Sequence, residues 1–379
     1  MKHPRWTIGV LLAASVAAGA ATAAERMQEK GGTDDFGPYT TVPGWLKLKP
    51  LNPGMIDRGC SVFVESADRI WYTTDVEFPA ELPRGPYVVA RSGDVSTGGQ
   101  EFKYTHIPRV LLLDASGNVV EEWKQWEHLL NMPHRISISP YDPEKAVWIV
   151  DRDNSQVFKF SHDGKKLLMT LGEKGVIKSD ETHFGRPAGI AFQPDGSFLI
   201  ADGYDNTRII KFDKNGKRLQ TWGTKGKGAG EFNVQVHDVA LDQKGRIYVG
   251  DRGNERVQVF DANNKFIEEW DHISRPSFIW TTKDGTVWVV AGVDNRLAQF
   301  DMNGKLLTSW GVYGTSAGKF DDPHDLAVDP AGNLFVSMWS LKKVGLEKYV
   351  PNPNADQKRL VHPAFDRTLP TMTQTSMAH

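Results

Sequence analysis

The chain has 379 residues, with 45 Lys+Arg against 47 Asp+Glu, 40% hydrophobic side chains and a single Cys. That apolar share can fill a sizeable core, which excludes disorder and a small stapled scaffold. A net charge of −2 offers no field for nucleic acid or acidic lipid, and one Cys excludes an internal disulfide or a thiolate zinc cluster.

The chain opens with Lys2, His3 and Arg5, an Ala-rich apolar run over residues 6–20, and Ala21-Thr22-Ala23-Ala24-Glu25. A basic start, a short apolar run and small residues before a polar stretch predict a signal peptide over 1–24, cleaved after Ala23 or Ala24. The alternative is an amino-terminal anchor, for which the alanines provide little apolarity. The expected product is periplasmic or secreted, with no membrane span once the signal is removed. It comprises a linker (25–41), a repeat domain (42–350) and a tail (351–379).

The repeat domain is visible as recurring first strands. They begin at Gly59-Cys60-Ser61-Val62, Pro133-His134-Arg135-Ile136, Pro187-Ala188-Gly189-Ile190, Val236-His237-Asp238-Val239, Pro276-Ser277-Phe278-Ile279 and Pro323-His324-Asp325-Leu326. A second strand follows, as in Val147-Trp148-Ile149-Val150, then a third ending in Phe160, Phe212, Phe260 or Phe300, and a fourth ending in Trp222, Trp270 or Trp310. Four short strands per unit with turn residues at fixed offsets describe a β-propeller blade, so the fold class is all-β, a six-bladed β-propeller. The sixth unit lacks a clear fourth strand, and Gly44-Trp45-Leu46-Lys47-Leu48 is a candidate to supply it and close the ring. The one long insertion, near residues 76–108, falls in the first blade. Gly223-Thr224-Lys225-Gly226-Lys227-Gly228 mimics a phosphate loop, but it follows an outer strand with no helix behind it and reads as a blade connection.

The second residues of the six motifs are Cys60, His134, Ala188, His237, Ser277 and His324. Histidine falls on every second blade. First strands line the channel, so three imidazoles converge about 120° apart, the donor set of an open Zn²⁺ site. If these histidines served only the repeat, Ala188 and Ser277 would not stand in the equivalent places. The loops between strands 2 and 3 return to the same face and bring Asp151-Arg152-Asp153, Asp202-Gly203-Tyr204-Asp205 and Asp251-Arg252-Gly253 to the mouth. The aspartates read as braces between blades. Tyr204, in a loop one residue longer, can act as a base beside a dication, which stabilises a phenolate, and Arg152 and Arg252 can bind a carboxylate.

These repeats resemble NHL repeats, and residues 134–325 resemble the peptidyl-α-hydroxyglycine α-amidating lyases. The closest stretches are Phe184-Gly185-Arg186-Pro187, residues 201–209 (ADGYDNTRI), residues 250–258 (GDRGNERVQ) and Pro323-His324-Asp325. The resemblance implies zinc on His134, His237 and His324, catalytic roles for Tyr204 and Arg252, and a structural Ca²⁺ on Asp325 with the carbonyl of Ile136. It also implies a reaction in which the hydroxyl of an α-hydroxyglycine loses its proton to the tyrosine and the C–N bond breaks to give an amide and glyoxylate. Three departures stand out. Gly185 with Asp205, and Tyr248 with Val259, occupy the family's disulfide positions. Its blade 1 arginine falls at Thr73 or Thr74. The Met two residues before the third His is Asp322.

The leading expectation is therefore an exported, monomeric zinc lyase acting on a small molecule or peptide, with Arg152 on the substrate. The alternatives are a non-enzymatic NHL propeller that binds a peptide or protein around a structural metal, and a propeller hydrolase or lactonase.

Overall fold

The computed structural model describes residues 36–49, 57–79, 89–92, 103–271, 273–340 and 342–365. The signal peptide over 1–24 and most of the blade 1 insertion lie outside the described residues. Among those described, no helix is long and apolar enough to cross a membrane.

Six antiparallel sheets form the blades of a propeller. Their innermost strands are Asp57–Ser66, Pro133–Ile138, Pro187–Phe192, Val236–Leu241, Pro276–Thr281 and Pro323–Val328. In blades 2 to 6 every residue of the inner strand is buried, because each inner strand lies between those of the two neighbouring blades. The outermost strands Leu167–Leu171 and Arg218–Trp222 are exposed or half-buried throughout. At the ends of blades 1 and 4 the indole lies on a turn glycine of the next blade. A Cβ on Gly304 would sit 2.3 Å from the Trp270 ring, and one on Gly164 2.4 Å from Trp123. Both glycines also hold positive φ, so the turn and the interblade contact demand the same residue.

Every inner strand carries a bulge at the same place. The ladder slips between Gly59 and Ser61, Pro133 and Arg135, Pro187 and Gly189, Val236 and Asp238, Pro276 and Phe278, and Pro323 and Asp325. The skipped residues are Cys60, His134, Ala188, His237, Ser277 and His324. A bulge takes its extra residue out of the pairing pattern and re-aims its side chain. The backbone therefore turns one position per blade toward the axis.

Ring closure differs from expectation. The fourth strand of blade 6 is Tyr39–Thr41, paired with Leu346–Pro351, and not residues 44–48. The Trp45 segment instead plugs the seam between blades 6 and 1: the indole donates to the Ala115 carbonyl and tilts onto Phe335. The propeller thus begins within the expected linker. Residues 352–365, expected as tail, pack as a clasp. Leu360, Val361 and Ala364 are buried, Val361 N–H donates to the Tyr39 hydroxyl, and Trp280 Nε1 donates to the His362 carbonyl. The phosphate-loop mimic is a blade connection, pinned by a two-stranded pairing of Thr224–Lys225 with Glu231–Phe232.

Candidate metal centre

His134, His237 and His324 meet on the channel axis. Each contributes a ligand nitrogen within 4.8 Å of the others, and the ring centroids are 4.7 to 5.0 Å apart. Their other nitrogens are engaged in one repeating pattern. His134 Nδ1 lies 2.8 Å from the Ala188 carbonyl, His237 Nδ1 2.6 Å from that of Ser277, and His324 Nδ1 2.7 Å from that of Cys60. These acceptors are the bulge residues of the odd blades. A carbonyl accepts only, so each Nδ1 carries the proton and each Nε2 presents a lone pair. Odd blades hold the rings that even blades supply.

All three imidazoles are kept neutral. Burial pushes each well below the ordinary histidine pKa, and the surroundings add to it: at His134 competition with His324 for a proton, then Arg152 and Arg135, at His237 Arg252 first, and at His324 Arg135 then Arg252. Three neutral Nε2 donors with fixed tautomers fit a transition-metal ion with an open position. The same arrangement makes the metal-free fold acid-sensitive. The unfolded chain takes up three protons near pH 6.5 that the folded chain refuses. Stability is therefore full above that pH and lost as pH falls, with a slope approaching about 4 kcal/mol per pH unit. Urea midpoints of metal-free protein should drop steeply below about pH 6.5; a flat profile would mean the rings charge freely.

Tyr204 does turn inward. Its hydroxyl is 3.1 Å from His134 Nε2 and 2.9 Å from His237 Nε2. The Arg152 guanidinium lies 4.6 Å from the Tyr204 ring centroid and hydrogen-bonds Asp153 at 2.8 Å. Burial opposes the Arg152 charge, but Asp153 and Tyr204 outweigh it and raise its pKa above the ordinary arginine value. Arg252 is buried, and its Nε has no hydrogen-bond partner. It lines a cleft of about 670 Å³ with Gln235, Asn254 and Arg275, formed by blade 4 and the connections that flank it.

The loop aspartates are braces, though within their own blades. Asp151 accepts from the backbone of Asn131, Met132 and Asn154, Asp202 from Gly185 N–H and Arg208, and Asp251 from Asn233 N–H and Arg256. Thr73 and Thr74 are fully buried and supply no cation. Sequence reasoning missed the residue that does. Arg58, paired with Asp75, stacks on Trp339 with its guanidinium 4.0 Å from the ring centroid, and Arg152 approaches the same ring at 5.6 Å. Trp339 in turn flanks His324. The available signal was register: Arg58 stands two residues before Cys60, as Asp322 stands before His324.

Calcium on Asp325 does not fit. Below the tripod, Arg135 NH1 lies 2.6 Å from Asp325 Oδ2 and NH2 3.3 Å from Asp238 Oδ1, all three side chains being buried. Asp325 also accepts from Ser61 Oγ and, at 3.2 Å, from Val62 N–H. The Ile136 backbone N–H donates to that same Ser61 hydroxyl. The Asp325 carboxylate of the expected cation site is thus paired with a guanidinium.

The chain is 30% identical to NHL repeat-containing protein 3 of Mus musculus over 270 residues, 65% of this chain and 74% of that protein. It belongs to the NHL-repeat family. A family model described as a 6-bladed beta-propeller matches residues 178–334. The NHL propeller is also 35% identical to the probable peptidyl-alpha-hydroxyglycine alpha-amidating lyase of Caenorhabditis elegans over 136 residues, 35% of this chain and 38% of that protein. Against the peptidylglycine alpha-amidating monooxygenase of Rattus norvegicus it is 30% identical over 253 residues, 58% of this chain. It spans about a quarter of that relative's length, the matched share being 26%. Among solved structures, a streptogramin B lyase superposes with a TM-score of 0.51 at 12% identity, covering 83% of this chain and 98% of that one, a likeness of fold. The positions expected to replace disulfides face each other here: Tyr248 pairs with Val259, and Asp205 N–H donates to the Gly185 carbonyl.

Proposed function

We propose that this NHL propeller is a zinc-dependent lyase that cleaves the C–N bond of a peptidyl-α-hydroxyglycine or related carbinolamide, giving an amide and glyoxylate. One observation carries the reading: a tyrosine hydroxyl within 3.1 Å of two of three convergent, neutral imidazole nitrogens. The amidating-lyase relatives support it.

His134, His237 and His324 would hold the ion, whose contribution is Lewis acidity toward the substrate hydroxyl. Tyr204 accepts the hydroxyl proton. As the carbon–oxygen double bond forms, the C–N bond breaks and the departing nitrogen takes a proton, returned by the same phenol. The substrate carboxylate goes to Arg252, whose buried Nε has a hydrogen bond to give, with Arg58 and Arg152 adding positive charge on the opposite arc. Arg58 thereby makes good the arginine absent at Thr73 and Thr74. The cleft beside Arg252 accommodates the remainder of the molecule, and the amino-terminal signal would place the reaction outside the cytoplasm.

N-benzoyl-α-hydroxyglycine is the test substrate. Zinc-loaded protein should release glyoxylate and benzamide in equal amounts. Fully loaded protein that releases neither supports the non-enzymatic reading, a peptide binder with a structural metal.

A further inference from the structure

The residue after each tripod histidine forms a second layer: Arg135, Asp238 and Asp325 from blades 2, 4 and 6. Between them come Ser61, Gly189 and Phe278. Each has a use. Ser61 donates to Asp325, and the Phe278 ring lies under the guanidinium with 4.4 Å between its centroid and Arg135 Cζ. Gly189 keeps the space open, since a Cβ there would be 2.5 Å from Asp238 Oδ1. The carboxylates also tie the ring together: Asp325 of blade 6 accepts from Val62 N–H of blade 1, and Asp238 of blade 4 accepts from Ile279 N–H of blade 5 at 2.9 Å.

Two buried carboxylates converging on a channel cannot stay ionised without a cation at their focus. We infer that Arg135 is that cation, a covalently attached replacement for a divalent ion. The propeller therefore needs metal only at the histidine tripod and is calcium-independent. The arginine is singular in its layer and buried with no exposure. It reaches across the channel to side chains of three other blades. Its planar, delocalised charge suits two separated carboxylates and an aromatic face.

The test strips the whole protein of metal, restores zinc alone, and compares thermal unfolding with and without about 1 mM CaCl₂, a level that fills weak calcium sites. The wild type should retain no calcium as purified, and its Tm should not respond to the ion. Arg135→Ser should lose on the order of 10 °C in Tm and recover most of it with calcium, because both carboxylates remain. Arg135→Lys should fall between the two and ignore calcium. One calcium per wild-type chain, with a Tm that drops on its removal, overturns the inference, and this arm stands even if the serine variant fails to fold. A serine variant that loses no stability, or that calcium does not rescue, overturns it as well.

Discussion

His237→Ala should lower glyoxylate release about 10³-fold or more, the kinetic equivalent of the several kcal/mol that a bound metal contributes to such a step. It should also leave the protein unable to retain zinc through dialysis. The propeller should still fold. His237 sits on a bulge outside the strand ladder, so its removal breaks no sheet hydrogen bond. Besides the contact with the Tyr204 hydroxyl, it loses the bond to the Ser277 carbonyl, which costs about 1–3 kcal/mol when a buried acceptor goes unpaired. Two imidazoles remain, and no other His, Cys, Asp or Glu side chain among the described residues stands ready to complete the set. A variant that keeps both zinc and full activity would remove the tripod from the chemistry.

Tyr204→Phe should lower kcat by about 10²- to 10⁴-fold, the usual contribution of a positioned proton acceptor. KM should change little and zinc content should be unaffected. The substitution isolates one atom. The ring stays under the Arg152 guanidinium, 4.6 Å from its centroid, so the packing of the mouth persists. The hydroxyl lies beside two imidazole nitrogens, where a substrate hydroxyl would have to approach. A phenylalanine variant with wild-type kcat would reassign the tyrosine to packing. A raised KM at unchanged kcat would make it a binding group instead.

The tripod is legible in the sequence because a closed ring of six blades converts sequence period into angle. A residue repeated on every second unit must converge with its fellows. The inward turn of Tyr204 was legible for a similar reason, since one extra residue in an otherwise repeated loop has to go somewhere. Features made by backbone were hidden. The bulge that aims each histidine, and the odd-blade carbonyls that hold the Nδ1 protons, leave no mark in residue type: Ala188, Ser277 and Cys60 act through their main chains. Tyr39–Thr41 is too short to show alternation, whereas the apolar alternation around Trp45 serves a plug instead of a strand. Arg58 and Arg135 were hidden differently. Each is in register with the histidine motif, one ahead of it and one behind, but a cation in a channel wall reads as a surface residue until its partners, Asp75 in one case and Asp238 with Asp325 in the other, are seen to be buried beside it.

X-ray absorption at the zinc edge on the purified protein puts the tripod to the most direct test. One zinc per chain, with three histidine nitrogens at about 2.0–2.1 Å and a fourth ligand that is oxygen, is the predicted spectrum, and it should vanish in His237→Ala. Zinc held by fewer than three imidazoles, or a spectrum unchanged by that substitution, would contradict a catalytic ion on the propeller axis.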